Sequence, residues 1–229
     1  MRRLILFDID GTLLSTRGAA RRAFHHAMLE VYGTAGPIAT LPFDGKTDPQ
    51  IARELLAFEG IGDAETDAGL PVLWEAYIRE LEIELGQPDH ETDTLPGVRT
   101  LLSALARAAD AVVGLVTGNI ERGAALKVSS AGLSGFRLGA FGSDCEQREG
   151  LPPIAVERAR ALYGIAFRGQ DILVIGDTPA DVRCGQALGV HAVGVATGRH
   201  PADQLRAAGA HTVFEDLSDT ERVLQVLLG

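Results

Sequence analysis

Lysine is nearly missing from this chain: Lys46 and Lys127 are the only two among 229 residues, and the remaining basic side chains are arginines. The net charge is −10, and no Lys/Arg block is interleaved with aromatics. A nucleic-acid surface needs a basic stripe to displace counterions, so that class of partner is not expected. Cysteine is just as scarce. Cys145 and Cys184 cannot build a disulfide framework, which makes a reducing cytoplasm the expected location. No apolar run approaches the roughly 18–20 residues that a membrane span requires. After Arg2-Arg3 only Leu4–Phe7 precede Asp8, too few for the apolar centre of a signal peptide but enough for a buried strand. The six histidines show no metal-ligand spacing, so capping or solvated roles are expected of them.

What the chain does have is a hydrophobic fraction of 46%, enough for a full core in one large domain or in a core with a smaller insert. Short apolar runs read as strands at Arg3–Phe7, Ala111–Val116, Asp171–Ile175, Val190–Val195 and His211–Phe214. Between them, helical spacing marks Glu121–Ser130, Ile154–Tyr163, Ala180–Leu188, Ala202–Ala208 and Ser218–Leu228. Buried strands alternating with amphipathic helices predict an α/β fold with a parallel sheet. From residue 15 to 92 the alternation stops, and helical patterns cover Arg17–Tyr32, Asp48–Glu59, Ala64–Gly69 and Leu70–Leu85. The spacing of Leu73, Trp74, Tyr77, Leu81 and Leu85 predicts core packing rather than a ligand stack. We therefore expect a catalytic core over 1–14 and 93–229, with an all-helical cap over 15–92.

Four strand ends carry chemistry. Asp8-Ile9-Asp10-Gly11-Thr12 places two carboxylates one residue apart, where like charges resist ionising together unless a cation joins them. Hard Mg²⁺ takes carboxylate, carbonyl and water oxygens and shares them with phosphate. Thr117-Gly118-Asn119 offers a hydroxyl and free backbone N–H groups suited to an anion. A transferring phosphoryl group also needs a cation. Arg148 is the expected occupant, with Lys127 as a less favoured substitute. Gly176-Asp177-Thr178-Pro179-Ala180-Asp181 adds an acid to complete a metal site and a second acid to support it.

Together, Asp8–Thr12 and Gly176–Asp181 resemble the motifs of the haloacid dehalogenase-like superfamily, specifically its phosphatases with a helical cap after the first strand. Within it, the chain looks most like phosphoglycolate phosphatase-like proteins. The resemblance implies a Rossmann-like three-layer core and a covalent aspartyl-phosphate. It makes Asp8 the nucleophile, Asp10 the general acid/base, and Thr117, Gly118 and Asn119 the phosphate grip. Mg²⁺ would be held by Asp8, the Asp10 carbonyl and Asp177, with Asp181 in support. The family usually supplies lysine where this chain has Arg148, which we expect to bridge the phosphate and the Asp8 or Asp181 carboxylate. Lys46, in the cap, is expected to greet an anionic substrate. The expected partner is thus a small phosphate ester, with no nucleic acid or membrane, and the chain is a monomer or homodimer.

Within the superfamily, dehalogenases and phosphonatases lack a counterpart of Asp10, which argues against both. A phosphonatase would also need Lys46 to form a Schiff base. A sugar-phosphate mutase stays open on sequence. A silent binding or regulatory protein is disfavoured by the intact acids.

Overall fold

A computed structural model describes residues 2–229. β1 (Arg3–Phe7) is the central strand of a six-stranded parallel sheet. Beside it lie β4 (Ala111–Thr117) and then β5 (Gly139–Phe141) on one flank. On the other flank follow β6 (Ile172–Gly176), β7 (His191–Val195) and β8 (Thr212–Phe214). β1 pairs in register with both neighbours, Leu4 facing Val112 on one side and Ile172 on the other. The chain thus builds outward from β1 in one direction and then in the other. The switch point falls at its carboxyl end, where open α/β sheets bind ligands.

Alternate residues of β1 serve opposite layers, as a strand requires. Ile5 and Phe7 pack with α4 (Val98–Arg107), α5 (Glu121–Ser130) and α9 (Thr220–Leu228) through Leu101, Val128 and Leu227. Leu4 and Leu6 face α6 (Leu151–Tyr163) and α7 (Pro179–Leu188) through Ala155, Ala159 and Cys184. The short α8 (Ala202–Ala207) seats Leu205 against Val182 and Ala192. This is the three-layer α/β arrangement expected from the sequence.

Between β1 and β4 the chain forms α1 (Ala19–Tyr32), α2 (Asp48–Phe58) and α3 (Asp63–Leu85), which share a hydrophobic cluster of their own. Phe24 is its hub, with the rings of Tyr77, Phe43 and Trp74 centred 5.1, 5.9 and 6.2 Å away. Tyr77 is accordingly a core residue, and the half-buried Trp74 packs against the same cluster. The patterns read as separate helices at Ala64–Gly69 and Leu70–Leu85 are one helix, with Pro71 inside it. Continuity is held by packing: Gly69 lets the Tyr32 ring lie where a Cβ would come within 2.4 Å of its hydroxyl. A two-residue antiparallel ribbon, β2 (Leu14–Ser15) with β3 (Asp93–Thr94), stands where the chain leaves for these helices and returns. Among the described residues, no helix is long and apolar enough to cross a membrane.

Candidate active site

The four stretches singled out in the sequence meet at the carboxyl end of the sheet. Asp8 continues β1 by one residue, its N–H donating to the Ile175 carbonyl at 2.9 Å, and is buried. Gly11 then turns the chain at φ +82°, bringing its backbone against the Asp177 carboxylate. A Cβ at Gly11 would stand 2.4 Å from Asp177 Oδ2, and one at Gly198, after β7, only 1.8 Å. The Thr12 hydroxyl donates to Asp177 Oδ1 at 3.0 Å, and Thr197 donates to the Gly11 carbonyl at 2.6 Å. Thr197 and Gly198 were not expected from the sequence. Their signal was the same as elsewhere, a hydroxyl and a glycine shortly after a buried strand.

Asp8, Asp177 and Asp181 each bring a buried carboxylate oxygen within 4.8 Å of the others. Burial is the main reason that Asp8 is raised to about 7; the Arg148 charge opposes it, and Asp181 and Asp10 each add a smaller repulsion. Asp177 is pushed well above the usual carboxylate range by burial, then by Asp181 and Asp8. Three hard oxygen donors whose charge is that costly to keep fit a divalent cation. The glycines that let the chain close around Asp177 fit such a site too. Asp10 contributes no carboxylate to this cluster.

Arg148 sits in a one-turn 3₁₀ segment before α6 and is buried. Its Nη2 lies 2.8 Å from Asp8 Oδ1 and 2.5 Å from Asp181 Oδ1, so one guanidinium nitrogen bridges both acids. Burial disfavours its charge, but Asp181 and Asp8 more than restore it and hold its pKa well above the ordinary value. Asp181 also closes a capping box with Thr178 at the start of α7, which fixes its carboxylate. Arg148 Nε is buried without a hydrogen-bond partner among the described residues. Its Nη1 lies beside Gly118, within 2.9 Å of where a Cβ would be.

The second carboxylate of the opening motif has different company. Asp10 accepts from Lys127 Nζ at 2.8 and 3.0 Å and from Asn119 Nδ2 at 2.8 Å. Lys127, buried on α5, also donates to Asn119 Oδ1 at 2.5 Å, and Asn119 Nδ2 donates to Thr117 Oγ1 at 2.8 Å. Because ammonium can only donate, it orients the Asn119 amide with nitrogen toward Asp10. Lys127, the less favoured cation in the sequence, thus joins the site beside Arg148 rather than instead of it. Lys46 is held in an ion pair with Glu54.

These groups line a cavity of about 250 Å³, to which the helical segment adds Arg21, Phe43 and Lys46. A larger groove of about 1050 Å³ runs along the β5 edge past Leu133, Phe136 and Leu162 and contains none of these acids. Convergent polar groups mark the smaller cavity as the chemical site.

A family model described as haloacid dehalogenase-like hydrolase matches residues 2–189. A phosphoglycolate phosphatase from Pseudomonas putida is 26% identical over 220 residues, covering 94% of this chain and 77% of that protein. The pyrophosphatase PpaX of Oceanobacillus iheyensis is 24% identical over 217 residues, covering 95% and 94%. Among solved structures, a hydrolase from Pseudomonas syringae superposes with a TM-score of 0.73 at 21% identity, covering 98% of both chains. CbbY from Rhodobacter sphaeroides, solved with phosphate, gives 0.65 at 20% identity, covering 96% of both.

Proposed function

The chain belongs to the haloacid dehalogenase-like hydrolase family, and from that premise we propose that it is a Mg²⁺-dependent phosphatase cleaving a small phosphate monoester through an aspartyl-phosphate on Asp8. The observation carrying this reading is the division of labour between two acids separated by a single residue. Asp8 is buried against Arg148 and the other two acids, while Asp10 is held apart by Lys127 and Asn119. In this reading one carboxylate attacks and the other moves a proton.

In the first displacement an Asp8 carboxylate oxygen bonds to phosphorus as the bond to the leaving oxygen breaks. Asp10, protonated, gives that oxygen its proton, and the alcohol departs. In the second, Asp10 takes a proton from water as the water oxygen attacks the phosphorus, releasing inorganic phosphate and restoring Asp8. Thr117, the Gly118 and Asn119 amides, and Arg148 Nη1 surround the position for the phosphoryl oxygens. Asp8, the Asp10 carbonyl and Asp177 would hold Mg²⁺, with Asp181 in support. When bound, the metal would neutralise the clustered acids and the charge on the phosphoryl group.

We assign residues 15–92 as the cap, since Arg21, Phe43 and Lys46 line the cavity from that side. A space of about 250 Å³ suits a small ester, and phosphoglycolate, named in the relatives' activity, is the first substrate to test. The Lys46–Glu54 ion pair weighs against the phosphonatase alternative, because it engages the amine that a Schiff base would need to reach the substrate. The test is a panel of metabolite phosphates with metal-stripped protein, with and without Mg²⁺, reading kcat/KM. Acid-quenched protein should carry phosphate in the wild type and none in Asp8→Asn. No Mg²⁺-dependent phosphate release from any ester would defeat the proposal.

A further inference from the structure

The loop before α2 lies across the core at three points. A Cβ at Gly45 would come within 2.8 Å of the Ala180 Cβ at the start of α7. The Thr47 hydroxyl donates to the Glu146 carbonyl at 2.8 Å. Asp48 makes the third contact twice over: its N–H donates to the Gly118 carbonyl, and its Oδ2 accepts from the Ile120 N–H, both at 2.8 Å. Those two partners are the residues immediately before and after Asn119. The approach is tight enough that a Cβ on Gly118 would stand 2.0 Å from the Lys46 carbonyl. Ile120 also packs its side chain into the hydrophobic cluster of the three insert helices.

An acid in the first turn of a helix ordinarily sits in solvent and favours its own helix's N-terminus. Asp48 differs: it is buried, and its carboxylate serves the N-terminus of α5 instead. The peptide units it grips on both sides carry Asn119, whose amide joins Asp10, Thr117 and Lys127. We propose that Asp48 is a positioning residue, by which the helical segment clamps Asn119 and, through it, fixes the carboxylate of Asp10 against the leaving oxygen. The proposal rests on the phosphatase reading above. It adds that docking of the insert and aiming of the proton donor are one event.

The test uses Mg²⁺-loaded full-length protein and two aryl esters of similar shape. Phenyl phosphate expels a basic phenolate that needs a proton, and p-nitrophenyl phosphate expels a stabilised one that needs little. kcat/KM reports the steps through formation of the aspartyl-phosphate, so it isolates proton donation. Asp48→Ala should lose about tenfold or more on phenyl phosphate beyond its loss on the nitro ester, since a small misplacement of a catalytic group costs up to about 10²-fold. Asp48→Asn, which can still accept from the Ile120 N–H, should recover most of that selective loss. Should the alanine variant fail to fold, Asp48→Glu carries the test: its longer arm overshoots Ile120 and should show the same selectivity. Equal losses on both esters, or wild-type rates in Asp48→Ala, would overturn the positioning role alone. If the wild type turned over neither these esters nor any of the metabolite phosphates with Mg²⁺, the phosphatase reading itself would fall, and the positioning role with it.

Discussion

Replacing Arg148 by methionine would leave the packing of its stem but remove the one guanidinium that spans Asp8 and Asp181. Both acids are buried, and Asp177 lies in the same cluster, so the variant would hold three crowded carboxylates without their bridging cation. Breaking a buried, hydrogen-bonded ion pair costs about 3–5 kcal/mol, because the remaining charge has lost its water and gained nothing. For a chain of this size each kcal/mol shifts Tm by about 2–4 °C, which places the expected drop at about 6–20 °C in metal-free protein. Mg²⁺ should return part of that drop, since it supplies positive charge to the same oxygens. Arg148→Lys should fall between the two, because its ammonium keeps the charge but ends one bond short of the Nη2 that contacts both acids. The assay is a set of thermal melts in EDTA and in saturating Mg²⁺, paired with turnover of p-nitrophenyl phosphate. A Tm within about 2 °C of wild type in EDTA would refute the reasoning, because ordinary surface substitutions do as little.

Three further outcomes follow from the same geometry. Asp8 is raised from 3.8 to about 7 by burial, so the folded protein keeps a proton that the unfolded chain has released. Its contribution to stability should decline as pH rises from about 4 to about 7; the Tm difference between wild type and Asp8→Asn in EDTA, followed across that window, should shift against the wild type, and a constant difference would contradict this. Asp10→Asn should lower kcat by about 10²–10⁴-fold by removing the general acid/base, while acid-quenched samples with p-nitrophenyl phosphate should retain more phosphorylated enzyme than the wild type. Gly198→Ala would drive a Cβ onto Asp177 Oδ2, so half-saturation for Mg²⁺ should rise about tenfold or more, as for other disturbed ligand supports; an unchanged metal titration would argue against Asp177 as a ligand.

Much of this architecture can be read from the residues. Runs such as Leu4–Phe7 and Ile172–Ile175 are buried on both faces, so they stay apolar throughout and stand out, and the acids that follow them mark the sheet's carboxyl end. The two-residue β2 and β3 are too short to show a period, and β5, Gly139-Ala140-Phe141, lacks the β-branched residues that mark the equally short β8. The helix α4 was also missed. Val98, Leu101 and Leu105 of its buried face do recur at helical spacing, but Gly97 ahead of them supplies no capping side chain to mark the start. Gly69 and Pro71 look like a break in α3, and only the Tyr32 ring packed against Gly69 shows why the helix runs on. In the site, the acids were legible because each follows a strand. Lys127 was harder to place, because its role depends on which face of α5 turns toward Asp10. Asp48 and Gly198 act on residues more than 70 and 20 positions distant, 120 and 177 respectively, and no local pattern records such a meeting.

The ribbon of β2 and β3 has a consequence for how the chain finds its fold. β1 is synthesised first, yet its partners β4 and β6 lie about 100 and 170 residues further on, so the central pairings are among the most distant in the molecule. Pairing Leu14 with Thr94 and Ser15 with Asp93 brings the two ends of the helical excursion side by side. Once that ribbon closes, the search that joins β1 to β4 is shortened to the few residues flanking it and α4. Loop-closure cost grows only as the logarithm of length, but the rate of forming distant contacts falls steeply with separation. Two residue pairs can thus let the helical segment grow or shrink over generations with little effect on how quickly the sheet beneath it assembles.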